Sequence, residues 1–458
     1  MRRLARENAL CALAAAAASG AMAWLGLYSF AWNDYEVEAQ PAFDALTHGH
    51  VLEFSRLAPA YGGSLVERAP FALIPGLWGG GRLAVYRMVA IPCLLAAAAL
   101  GVWLCAQMRG KGRSGRSPAY STLSRAVTLG VCVANPLTLR ALEVGHPEEL
   151  LGACLCVAAV LVAGRGRPVW AGALLGLAIA NKEWALLAAG PVALALPAGA
   201  GMRRWRRPIL CLASAGAVSA LVLAPLALVS SGGFAAGTRG VAVTQGAIFQ
   251  PWQAWWFLGR HGSLVQGLFG APKPGYRVGP AWTSSISHPL IVALGLGLAG
   301  ALWLRRRRSG SAGVVGERDA LLALALVMLA RCVLDTWDTA YYMLPFVIAL
   351  LAWETRGSSR RPPVLALSST ALAWLSFQGL PAHGATPDVQ AAFFLAWTLP
   401  LGAALALALY APGLCRRVAG AWPPGESRPL AGPRTAIRGP VQAQEMTVSC
   451  LDNPVSTS

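Results

Sequence analysis

What most constrains this chain is a series of apolar runs, each close to the length of a membrane helix, that repeats from the first residues to about residue 411. A hydrocarbon core of about 30 Å takes roughly 20 apolar residues per helix. Within it, only helices and closed barrels satisfy every peptide group. The runs fall at 9–32, 83–107, 120–139, 148–164, 168–181, 184–200, 208–230, 287–304, 319–336, 339–354, 363–380 and 388–411. The sequence therefore predicts an all-α polytopic membrane protein of about twelve transmembrane helices.

Composition agrees, with 56% hydrophobic and 13% charged residues. The formal charge of +18 is no nucleic-acid signature, because the arginines stand in short blocks between apolar runs instead of forming one face. "RGKGRSGR" (109–116), "RGR" (165–167), "RRWRR" (203–207), "RRRR" (305–308) and "RGSSRR" (356–361) fall in alternate connectors. By the positive-inside rule these connectors are cytoplasmic, and both termini with them. The expected location is the plasma (inner) membrane. The opening "MRRLARENALCALAAAAASGAMA" has the build of a signal peptide, but its apolar character continues to Trp32, so a retained helix is expected. Residues 1–8 are read as a cytoplasmic N-terminus, 9–411 as the membrane domain and 412–458, rich in Pro, Gly, Arg and Ser, as a disordered cytoplasmic tail. Around Asn181 the segment 168–200 reads either as two short crossings or as one long broken one.

Two outward loops, 33–82 and 231–286, exceed the length of mere turns. The first contains "AYGGSLVERAPFALIPGLWGGG", too short to span and suited to an interfacial or re-entrant helix. The second carries Trp252, Trp255 and further aromatics, which fit interfacial anchoring or stacking on sugar. None of the ten cysteines lies in either loop, which argues against a disulfide scaffold. No Walker loop, dinucleotide fingerprint or zinc helix motif is present, so neither a nucleotide nor another cofactor is expected.

Charge beside lipid costs several kcal/mol unless something uses it. Four polar clusters stand at the outward ends of the runs: Asp34, Glu36 and Glu38; "EVGHPEE" (143–149), with His146 and Glu148; "NKE" (181–183); and "DTWDTAYY" (335–342). Their convergence would make one site. Lys182 is notable because the chain has three lysines against 35 arginines, and a compact ammonium is a phosphate binder. Snorkelling from a helix end is the plainer explanation.

The outward Asp after the first run, the long loop with its Tyr/Gly/Pro-rich amphipathic part around Tyr61, "GHPEELLGA" and "GLAIANKEWALLAAGP" resemble the GT-C membrane glycosyltransferases. More narrowly they resemble glycosyltransferase family 87, the polyprenol-phosphate-mannose-dependent mannosyltransferases. The resemblance implies a GT-C-like bundle and transfer of a sugar, mannose in that family, from a polyprenyl-phosphate donor to a lipid-linked or glycan hydroxyl at the outer face. An acceptor hydroxyl needs a base as it attacks the anomeric carbon. Asp34 is the expected base, with Glu36, two along an extended segment and so on the same side, as the substitute. The leaving phosphate needs no acid, so inversion is expected, but it does need positive charge placed in advance. Lys182, Arg260, His261 and His288 are the candidates. His146, Glu148, Tyr61, Trp252 and Trp255 are expected to bind substrate, and no metal is expected. A secondary transporter, or a non-catalytic partner in envelope assembly, is the rival reading.

Overall fold

The computed structural model describes residues 2–28, 34–58, 62–109, 118–197, 203–230, 232, 249–265, 272–308, 315–357 and 362–412. Tyr61, most of the second outward loop before residue 249 and the tail from 413 onward lie outside the described residues.

Among the described residues each of the twelve apolar runs is mainly helical. Seven helical stretches among the described residues are long and apolar enough to cross a membrane: Ala9–Gly26, Arg82–Met108, Thr122–Val144, Trp205–Val229, Ala281–Arg308, Val364–Ala382 and Pro387–Tyr410. They belong to α1 (Arg2–Tyr28), α5 (Arg82–Arg109), α6 with α7 (Pro118–Cys132 and Pro136–Val144), α11 (Arg203–Val229), α12 (Ala281–Arg308), α15 (Val364–Trp374, prolonged by a π turn and a final α turn) and α16 (Pro387–Tyr410). α1 starts at Arg2, so the stretch expected as a separate cytoplasmic N-terminus is part of the first helix. The other five runs are shorter or more charged: α8 (Glu148–Gly164), α9 (Pro168–Asn181), a 3₁₀ segment (Glu183–Ala188) with α10 (Ala189–Ala195), α13 (Glu317–Leu334) and α14 (Leu344–Gly357). α8, α13 and α14 are buried on nearly all sides. A helix shielded from lipid by its neighbours is apolar all round and can be short.

Local sequence sets the breaks. Asn135 caps α7, its side-chain oxygen accepting from the Thr138 N–H at 2.9 Å, and Pro136 follows at the first helical position, as capping requires. α8 opens with Glu148 and Glu149, whereas α12 closes with Arg305 to Arg308, each sign matching the helix dipole.

The chain shuttles between two ends of the bundle. At one end Arg356 pairs with Glu317, Arg306 pairs with Asp319, Arg165 stacks on Trp103 at 4.5 Å and Arg305 donates to the Leu409 carbonyl. This is the arginine-rich end expected to be cytoplasmic. At the other end Asp34, His146, Lys182, Asp335 and Ser376 gather with the two outward loops. Around Asn181 the chain breaks and returns: Lys182 is extended, and Pro197 comes back beside Gly166. Two short apolar helical segments, not one long helix, occupy 168–195.

The first outward loop is a packed helical cap. A π turn (Tyr35–Ala39) leads into α2 (Gln40–Thr47), then α3 (Val51–Leu57) and α4 (Gly63–Ala72), around a core of Tyr35, Phe43, Phe54, Leu65 and Tyr86. A 3₁₀ turn (Ile74–Trp78) after α4 leaves Leu77 and Trp78 exposed. In the second loop, β1 (Arg260–His261) and β4 (Arg277–Val278) pair antiparallel, as do β2 (Leu264–Val265) and β3 (Pro272–Lys273).

α9 packs on α11 through a small-residue stripe that the sequence reading passed over. A Cβ on Gly172 would meet the Cys211 carbonyl oxygen at 2.1 Å, and one on Gly176 the Ala215 carbonyl oxygen at 2.5 Å. Ser214 and Ser219 on α11 donate to the carbonyls of Val169 and Gly176 at 2.9 and 2.8 Å. Close backbones joined by hydroxyl bonds are what holds helices together in lipid. Gly176→Leu is expected to lower stability by about 1–3 kcal/mol, read as unfolding in mixed detergent. Gly216→Leu, at a site with nothing within 4 Å, should leave it unchanged.

Candidate functional site

The polar clusters at the end expected to face outward converge, and one residue organises them. Glu148, the first residue of α8, is 1% exposed, yet it faces three cations. His146 Nδ1–H donates to its Oε1 at 2.8 Å, Lys182 Nζ lies 3.4 Å from the same oxygen, and an Arg68 amino nitrogen lies 3.3 Å from Oε2. Each comes from a different element: Arg68 from α4, His146 from the turn after α7, Lys182 from the break after α9. Asn181 Nδ2 closes the arrangement by donating to the Glu148 carbonyl at 2.8 Å. Gly152, one turn along α8, leaves room for Asn181 and Trp184, which a Cβ there would meet at 2.9 and 3.0 Å.

His146 links this buried hub to the surface. Its Nε2–H donates to Asp34 Oδ2 at 3.1 Å, and the Asp34 side chain is 42% exposed where that of Glu148 is 2% exposed. Burial alone would lower the His146 pKa; the Glu148 carboxylate and the hydrogen bonds to Asp34 and Glu148 outweigh it and lift it to about 9. The imidazolium therefore holds both carboxylates. Lys182 is raised in the same way, Glu148 and Glu149 overcoming its burial.

Gly145 makes the contact possible. It ends α7 with φ +102°, where L side chains are strained, and a Cβ on it would fall 2.5 Å from the Tyr35 amide nitrogen. Only glycine lets the turn that carries His146 close against the segment that carries Asp34.

That segment is helical, not extended: Asp34 has φ −64° and ψ −24° and leads into the π turn. Asp34 and Glu36 therefore do not share a side, since helical residues two apart diverge and those four apart align. Glu38 is the acid on the Asp34 side. Burial raises its pKa, against the opposing pull of His146 and Lys182.

Behind the hub lies a second layer. Lys182 Nζ is 3.9 Å from Glu149 Oε1. Arg331 of α13 lies between the faces of Trp184 and Tyr342, at 5.1 and 4.4 Å. Asp338 is fully buried, and neither carboxylate oxygen accepts a hydrogen bond of normal geometry. Burial, reinforced by Asp335, pushes its pKa well above the ordinary carboxylate range.

The residues singled out from sequence separate accordingly. Asp34, His146, Glu148 and Lys182 come together. Glu148 is too deep to touch a substrate and serves as the ionic hub, and Lys182 is committed to Glu148 and Glu149 instead of standing open to a phosphate. His288 lies 3.6 Å from Asp335. Arg260 and His261 are exposed on the β1–β4 ribbon, and no hydrogen bond or ion pair joins them to Asp34 among the described residues. Trp252 and Trp255 anchor the second loop: their indole N–H groups donate to the carbonyls of Ser376 at 3.0 Å and Leu334 at 2.6 Å, and Trp252 lies against Phe377. Sequence reasoning passed over Arg68, Glu149 and Arg331. Arg331 had a legible signal, a lone cation inside an apolar run; Arg68, in an amphipathic loop helix, had none.

Comparison with family models, with characterised proteins and with solved structures finds no match to this chain.

Removing one partner of a buried ion pair leaves a charge without compensation. Arg68→Ala is expected to cost about 3–5 kcal/mol and to release the α2–α4 cap, which limited proteolysis would detect. The pH dependence follows from His146, whose folded pKa of about 9 stands above the ordinary 6.5. Its stabilisation is complete below 6.5 and declines as pH rises to about 9. Unfolding temperature should therefore fall over that window, and His146→Gln should flatten the profile.

Proposed function

We propose that the protein is an integral membrane glycosyltransferase that moves a sugar from a polyprenyl-phosphate donor to a lipid-linked or glycan hydroxyl, with mannose the sugar suggested by the sequence resemblance. A bundle of twelve crossings, with the hub at the outer face and both termini inside, completes the proposal. The observation that carries it is the half-exposed Asp34 carboxylate, backed by His146 on buried Glu148 at the end of the bundle where both long loops gather.

Asp34 takes the proton of the acceptor hydroxyl as its oxygen attacks the anomeric carbon. The bond from that carbon to the phosphate oxygen breaks, and the polyprenyl phosphate leaves with the electron pair, needing no proton. One displacement inverts the sugar. His146 is a positioning residue: bonded on both ring nitrogens, it fixes the direction in which Asp34 points, and Glu148 with its three cations fixes His146. Of the basic residues singled out from sequence, Arg260 and His261 are exposed and are assigned to the donor phosphate, while Lys182 is reassigned to holding Glu148.

A second reading, a proton-coupled transporter, is favoured by Asp338, a fully buried acid whose carboxylate oxygens accept no hydrogen bond of normal geometry. Membranes carrying the protein, supplied with labelled polyprenyl-phosphate sugars, separate the two. Asp34→Asn is expected to lower transfer by about 10²–10⁴-fold while leaving the unfolding temperature nearly unchanged. Wild-type transfer by Asp34→Asn would remove it as the base. Absence of transfer from every donor, combined with uptake driven by a pH gradient in proteoliposomes, would carry the transporter reading instead.

A further inference from the structure

The two densest arginine runs, "RRWRR" and "RRRR", open α11 and close α12, and the fold brings them to one point instead of spreading them around the rim. Trp205 of α11 and Trp303 of α12 lie with ring centroids 6.1 Å apart, and the Arg307 guanidinium sits 5.1 Å over the Trp303 ring. α10, which packs beside both helices, ends at Ala195, so the aromatic pair bridges α11 and α12 past its end.

Most cations at this end are already committed. Arg305 donates to the Leu409 carbonyl, Arg306 pairs with Asp319, Arg356 pairs with Glu317, and Arg165 and Arg318 stack on Trp103 and Trp353. Arg206 and Arg308 differ, and Arg307 differs in that the ring it stacks on, Trp303, belongs to the aromatic pair itself. All three arginines are exposed, and no carboxylate lies within ion-pairing distance of them among the described residues. Arg207 beside them spends one N–H on the Pro197 carbonyl, at 3.1 Å.

We infer that the Trp205–Trp303 pair with Arg206, Arg307 and Arg308 forms a binding site for the headgroup of an anionic phospholipid in the leaflet at the arginine-rich end. Guanidinium forks match phosphate oxygens two at a time, and tryptophan belongs at the headgroup level. Basic clusters between membrane helices on the cytoplasmic side are suited to multiply charged headgroups. The exposed apolar faces beside the site, Ile209 and Leu212 on α11 and Leu304 on α12, provide lipid-facing surface for the acyl chains. This site is independent of the Asp34 chemistry at the opposite end.

The test uses full-length protein, delipidated in neutral detergent, with cardiolipin, phosphatidylcholine or inorganic phosphate added. Bound lipid is counted by intact-complex mass spectrometry, and unfolding temperature is measured in parallel. Wild type should bind cardiolipin about tenfold more tightly than phosphatidylcholine and be stabilised by it, with no response to phosphate alone. The Arg206→Gln, Arg307→Gln, Arg308→Gln triple variant should lose that preference. Trp205→Leu should weaken it with all charge retained. A charge-matched triple variant at the opposite end, Arg56→Gln, Arg82→Gln and Arg140→Gln, should keep it. Equal loss in both triple variants would reduce the effect to net charge and overturn the site, as would a shift by inorganic phosphate equal to that by cardiolipin.

Discussion

The outward half of this molecule depends on a single buried carboxylate. Placing Glu148 at the start of a core helix, out of reach of water, is tolerable only because Arg68, His146 and Lys182 all point at it, with the positive end of α8 behind it. Those three residues stand on three separate segments. Satisfying one charge therefore fixes where the α2–α4 cap sits, how the turn after α7 closes and where the chain breaks after α9.

The same interaction sorts the polar residues by depth. Glu148 and Lys182 hold each other below the surface. Asp34, joined to them only through the imidazole of His146, stays within reach of solvent and of anything lying at the headgroups. A carboxylate serving as the proposed base would need both properties, a fixed direction and an open face, and a relay through one ring provides them without burying the carboxylate itself.

The periodic spacing of apolar runs made the helices legible, down to the ends of α8 and α9, because hydrocarbon thickness and backbone satisfaction leave a chain few alternatives. The alternation of arginine blocks likewise pointed to the end at which, among the described residues, Arg165, Arg305, Arg306 and Arg356 stand. Convergence of Asp34, "GHPEE" and "NKE" could be read from the cost of charge beside lipid. Their roles could not. Whether Lys182 faces a ligand or a neighbouring glutamate depends on Arg68 and Glu149, whose positions come from tertiary packing. The pairing of Asp34 with Glu36 failed because no feature of "NDYEVEA" distinguishes a strand from a π turn, and that choice decides which acid shares a side. Trp252 and Trp255 show the same limit, since an indole that anchors a loop and one that stacks on sugar look alike in sequence.

The brevity of α9 has a further effect. Its 14 residues rise about 21 Å at 1.5 Å each, well short of a hydrocarbon slab of about 30 Å. Were α9 to cross from the arginine-rich end, Asn181 and Lys182 would stop below the level of the lipid headgroups unless the bilayer pinched to meet them. α4 roofs the helix end, with Gly63 against the Ala180 carbonyl, so Asn181 and Lys182 are sealed beneath protein.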